Sequence, residues 1–394
     1  MVAGHVTLAS LLLIAVGTAS ACSTNSNGGD AYVLRLDPTN GDVMWTYRTS
    51  GYTVDHPAAF ENLVFVMGHK DLVALDADSG EERWARGGLQ GTRAPALIED
   101  GVVFAPSQPE TPQGNIGHLV ALDAGSGREL WSEGCLLGGY GSQVSVAGGG
   151  RAYLASSCEP GDGAASETHL VAFNPVDGSE IWRSEDVQYR EGDADGGYAI
   201  GLGGSPVFES GYLVYANHDS RIRALDAATG DAAWEAPIAS PPYSATVSAA
   251  AGTVFVWPQV DPLLIALDVE TGGERWRFER VPGDYGALHF TLFNKPLVVD
   301  GVVYTFSSPS QMVALDLATG HEIWSTDGAA GTMASDGEVL YLGGHATIRA
   351  FDLDSGAPLW DRAYDLGEAT RMQLNVVDGM LLATAPGESP PYRD

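Results

Sequence analysis

The sequence predicts an all-β fold, an eight-bladed β-propeller of four-stranded antiparallel blades, and three observations carry that reading. One pattern recurs eight times: an apolar run, then Asp or Asn, with Gly four residues later and Trp eight residues later. Short hydrophobic runs and tight-turn signals fill the intervals, and no long stretch shows a helical apolar period. The span 31–394 divides into eight repeats of about 45 residues, the length of a four-stranded blade.

The copies run Asp37, Gly41, Trp45; Asp76, Gly80, Trp84; Asp123, Gly127, Trp131; and Asn174, Gly178, Trp182. Asp226, Gly230, Trp234; Asp268, Gly272, Trp276; Asp316, Gly320, Trp324; and Asp352, Gly356, Trp360 complete them. The acidic or amide residue starts a tight turn by accepting backbone N–H groups just ahead of it. The residue before Gly (Asn40, Ser79, Ser126, Asp177, Thr229, Thr271, Thr319 or Ser355) is always able to bond the local backbone. Gly supplies the positive φ. The Trp is expected to begin the outgoing strand and to wedge between blades, its N–H finding a carbonyl.

Two more strands lie between successive motifs, as in the run 94–98, a turn at Asp100 and Gly101, and the run 102–105. The order is therefore A, B, C, D. The first motif has no room for A and B strands before it, and residues 371–383 supply an unaccompanied A–B pair after the last. The C-terminal A and B strands should join the N-terminal C and D strands and close the ring without a free edge.

Residues 6–17 are apolar but short for a bilayer span, and Thr18 to Cys22 are small, which is the layout of a secretory signal. Two cleavage readings stand: an ordinary site ending at Ala21, and a lipobox-like Ala19-Ser20-Ala21-Cys22 in which Cys22 is lipidated. Residues 1–21 are then the signal, 22–30 a polar tether and 31–394 the propeller. Of three cysteines, lipidation of Cys22 leaves Cys135 and Cys158, expected to form a disulfide in an exported protein. Residues 1–30 thus direct the chain out of the cytoplasm, to the cell membrane or beyond.

Net charge is −31, with Lys70 and Lys295 as the only lysines, and no basic stripe exists to hold nucleic acid. No nucleophile–base motif, phosphate loop or HExxH pattern appears.

The run Ala-Leu-Asp-x-x-Thr-Gly-x-x-x-Trp, at Ala224 to Trp234 and Ala314 to Trp324, resembles the tryptophan-docking repeat of the PQQ-like (quinoprotein-type) propeller family. One branch of that family, the PQQ-dependent quinoprotein dehydrogenases, holds PQQ and Ca²⁺ over the axis. Its members carry an adjacent Cys-Cys pair, a stacking Trp and Glu, Asn and Asp ligands on a longer chain. Here 22 residues separate Cys135 from Cys158. Trp257, the one Trp outside the motif series, falls in a stretch that reads as a rigid exposed turn. The resemblance therefore implies the other branch, non-catalytic lipoprotein scaffolds that are BamB-like. No PQQ or calcium is expected, and the partner is an envelope protein or the cell wall, met by a monomeric propeller.

The D–A and B–C connections share one face of the ring, and three long ones (106–117, 157–168 and 183–203) crowd it. His56, Arg93, Tyr140, Gln143, Tyr243, His289 and Arg371 are placed to line the channel mouth there. His69, His118, His169, His218 and His345 lie on or beside the same face, but ligands on different blades are too far apart for one metal ion, so loop polarity is the better account. The acidic 183–203 loop lacks the spacing of a Ca²⁺ loop.

Overall fold

A computed structural model describes residues 31–49, 57–68, 71–89, 97–107, 117–136, 145–156, 169–184, 206–217, 221–238, 245–258, 263–279, 295–308, 310–328, 331–366 and 372–385. These form eight four-stranded antiparallel blades. Blade 1 is built from both ends of the chain: Gln373–Val377 (A), Met380–Ala385 (B), Ala31–Leu36 (C) and Val43–Thr49 (D). Leu34 pairs with Ala383 and with Thr46, so the C-terminal strands complete the N-terminal blade as expected. Blades 2 to 8 follow in chain order at 58–87, 97–136, 145–183, 207–237, 245–279, 297–327 and 332–363. Blades 3 and 4 are also hydrogen-bonded to each other where Leu136 pairs with Ser156.

Turn chemistry explains why each blade is cut where it is. Most A–B connections are two-residue hairpins with positive φ at both positions, as at Asp100 (49°) and Gly101 (75°), the backbone twist that suits a tight hairpin. At the C–D turn the motif glycines hold φ between 66° and 80°. Asp76 Oδ1 accepts the amides of Asp78 and Ser79 and the Ser79 hydroxyl, and Gly80 N–H returns to the Asp76 carbonyl at 2.8 Å. The same Asp-to-Ser/Thr bonding recurs at Asp268 and Asp316.

Each Trp is the third residue of its D strand rather than the first. A β-bulge precedes it: Ala74 pairs with Trp84 and Leu75 with Glu82, leaving Arg83 unpaired in the ladder. The bulge adds twist and turns the indole toward the next blade. It also puts the residue before Trp outside, which is why Met44, Ile181, Ile323 and Leu359 are exposed.

The core lies between blades. Each indole of one blade covers the motif glycine of the next: a Cβ on Gly80 would sit 2.7 Å from Trp45, one on Gly320 2.6 Å from Trp276, and one on Gly41 2.8 Å from Trp360. Seven of the eight indole N–H groups then donate to the carbonyl of the residue after the next blade's motif Asp or Asn. Trp45 reaches Ala77 (2.9 Å), Trp276 reaches Leu317 (2.8 Å) and Trp360 reaches Pro38 (3.2 Å). Where that residue has an N–H, it bonds its own blade's A–B turn, as Ala124 does to Gly101 at 2.9 Å. In blades 2, 3, 5, 6 and 7 one residue thus ties two turns and a neighbouring indole together. All eight motif tryptophans are buried or half-buried.

Trp257 corrects the sequence reading. It is not in an exposed turn but in the B strand Thr253–Pro258, 4% exposed, packed with Phe255, Leu264, Val303 and Val313 between blades 6 and 7. The alternation that buries Phe255 continues to Trp257, and the strand runs two residues further than the Pro258 signal suggests.

Candidate functional site

His56, Arg93, Tyr140, Gln143, Tyr243, His289 and Arg371, expected at the channel mouth, all lie outside the described residues, as do Cys22 and Cys158. Cys135 lies inside the D strand Glu129–Leu136 of blade 3. Among the histidines, His169, the first residue of the C strand of blade 4, donates its Nδ1–H to the Ser184 carbonyl at 2.8 Å. No group of three or more His, Cys, Asp or Glu could hold a metal ion among the described residues.

The turn face offers a cleft of about 320 Å³ between blades 4 and 5, lined by Gly149, Arg151, Tyr153, Phe208, Tyr212 and Asp226 among others. It exists because the repeat departs from its pattern here. The first B-strand residue, opposite the motif Asp or Asn, is Leu63, Val102, Tyr212, Thr253, Val302, Val339 or Met380 in the other blades; in blade 4 it is Arg151. The A strand of blade 4 ends at Gly148 and turns at Gly149-Gly150, and a side chain on Gly148 or Gly149 would collide with Phe208. Sequence reasoning passed over Arg151; its signal was one cation at a position otherwise apolar or uncharged.

Arg151 Nη1 donates to the Gly149 carbonyl at 3.1 Å, and its buried Nε has no partner. Tyr153 beneath it stacks on Phe208 (centroids 6.0 Å apart, planes 16° apart), and its hydroxyl donates to the Ala227 carbonyl at 3.2 Å. Burial pushes the Tyr153 phenol up to about 12, so it stays protonated. From blade 5, Asp226 Oδ1 accepts the Ala228 and Thr229 amides at 2.8 and 2.9 Å.

Two further carboxylates stitch blades on this face. Glu99 accepts the Gly150 amide of blade 4 at 2.6 Å, and Glu209 accepts the Gly252 amide of blade 6 at 3.0 Å. Asp76 is held well below the usual carboxylate range, first by the hydrogen bond from Arg83, then by those from Ser79. These groups serve the joints between turns and strands.

Eight blades, each docked on the next by a motif Trp and Gly, define a PQQ-like repeat propeller. The chain belongs to the family described as outer membrane protein assembly factor BamB, which it matches over residues 29–218, 113–260 and 218–379. It is 27% identical over 210 residues to the BamB of Nitrosomonas eutropha, covering 44% of this chain and 51% of that one. The chain thus spans about half the length of this relative. Among solved structures, BamB from Moraxella catarrhalis superposes with a TM-score of 0.51 at 18% identity over 88% of each chain. A quinohemoprotein alcohol dehydrogenase from Pseudomonas putida superposes at 0.57 and 14% identity, covering 93% of this chain and 78% of that one. At such identities both likenesses concern the fold.

Trp257, the one Trp outside the motif series, is enclosed between blades 6 and 7.

Proposed function

We propose that the protein is a non-catalytic binding or scaffold propeller of the cell envelope, exported and held at the membrane through a lipid on Cys22. Membership of the BamB family along most of the chain is the observation that carries this reading. It agrees with a repeat whose recurring residues serve turns and interblade packing. The partner is an envelope protein, in keeping with relatives named as outer membrane protein assembly factors. The binding surface is the long-loop face, to which the sequence assigns Arg93 and Arg371.

Pull-down with the full chain tests the reading. An envelope protein should be retained, and Arg93→Glu or Arg371→Glu should weaken it more than Arg128→Glu on the turn face. Loss of membrane association in Cys22→Ala should accompany this. Dye-linked oxidation of alcohols or sugars after reconstitution with PQQ and Ca²⁺ would overthrow it.

A further inference from the structure

We propose that the cleft between blades 4 and 5 is a binding site for a zwitterionic amino acid with an apolar side chain. Its carboxylate would sit on Arg151, its ammonium on Asp226 and its side chain against Phe208 and Tyr212.

Two charged groups from neighbouring blades line one cleft, and the protein leaves each of them half-used. Arg183 and Arg277 show how this chain grips a carboxylate: Nε and Nη2 together hold Glu180 (3.3 and 2.8 Å) and Glu274 (2.9 and 2.5 Å). Arg151 is held at its Nη1 corner by Gly149, while Nε has no protein partner and no ion pair forms among the described residues. Asp226 is the converse case. Asp76 and Asp268 give Oδ2 to the arginine seven residues on, Arg83 (2.6 Å) and Arg275 (2.7 Å), whereas the corresponding residue for Asp226 is Ala233. Oδ1 is committed to the turn, and Oδ2 has no hydrogen bond or ion pair among the described residues.

Size and charge select the ligand class. The cleft, about 320 Å³, lies at the lower end of ligand-pocket volumes and suits a molecule of amino-acid size. A chain of net charge −31 repels a simple anion at long range, and Arg151 alone does not offset that field. A zwitterion carries no net charge and satisfies both groups. The ring faces of Phe208 and Tyr212 then give an apolar side chain a surface to cover.

Calorimetric titration of the full chain with L-phenylalanine tests this, with phenylacetate and phenethylamine as probes lacking one charge each. Saturable binding of L-phenylalanine is expected, with each analogue weaker by about tenfold or more, since a charged hydrogen-bonding partner is missing. Arg151→Leu restores an aliphatic residue such as blade 2 carries. Asp226→Asn keeps the Oδ1 acceptor that the turn needs. Either should lower affinity by a similar factor while the melting temperature stays near that of the parent. Absence of saturable binding, equal binding of phenylacetate, or undiminished binding by a folded Arg151→Leu or Asp226→Asn variant would overturn the proposal. None of these results bears on the scaffold reading, whose surface is the opposite face.

Discussion

Trp360 donates its indole N–H to the carbonyl of Pro38, 322 residues earlier in the chain, at 3.2 Å. The same contact joins Trp276 to Leu317 across 41 residues. The closing joint of the ring is therefore built like its internal ones. It is reinforced by Tyr364, whose hydroxyl donates to the Gly41 carbonyl at 2.9 Å, and by Arg362, which reaches the Asn40 carbonyl and the Asp42 carboxylate.

Removing an indole opens a cavity between blades and leaves a carbonyl unpaired. Trp276 is 7% exposed, so Trp276→Ala should cost about 3–5 kcal/mol. Urea unfolding measures this, and a loss below about 1 kcal/mol would contradict the docking role.

Two glycines of blade 5 separate backbone strain from packing. Gly211 (φ 84°) faces open space, so Gly211→Ala should cost only the left-handed penalty, about 1–2 kcal/mol. At Gly230 (φ 80°) a Cβ would lie 2.6 Å from Trp182, adding an overpacking cost of about 1–3 kcal/mol. Equal destabilisation of the two variants would show that the indole contact carries no constraint.

Glu99 and Asp76 should respond to pH in opposite senses. Burial raises Glu99 above its ordinary value of 4.5, so protonation favours the folded state. Its contribution is complete below that value and drains away as pH rises through the raised one. Asp76 is depressed by Arg83, so its contribution is present above 3.8 and is lost as pH falls through the lowered value. Glu99→Gln keeps an acceptor for Gly150 and should hold or gain stability at neutral pH, whereas Asp76→Asn should lose it. Thermal melts across the acid range decide the matter, and parallel behaviour of the two variants would refute it.

Cys135 and Cys158 are expected to be linked. Leu136 pairs with Ser156 across blades 3 and 4, next to Cys135 and two residues before Cys158 in sequence. Intact-mass measurement with alkylation and no reductant should find no free thiol at either position. Reduction should then lower stability by about 3 kcal/mol, the scale for a loop of this length.

The eightfold motif, the strand order and the closure by the C-terminal strands were all legible in the residues. Turn chemistry is local: an Asp side chain, a Ser or Thr three residues on and a Gly with positive φ lie within one turn, so fixed spacing records them. What was not legible joins residues far apart. The second reason for each glycine, an indole from the preceding blade, spans 35 residues at Trp45 and Gly80 and most of the chain at Trp360 and Gly41. Trp257 read as a turn because Pro258 follows it, yet burial against blade 7 keeps it in a strand. That Arg151 and Asp226 line one cleft likewise needed two blades side by side. Sequence spacing encodes bonds made within a turn, while the packing of one blade on the next decides which side chains meet.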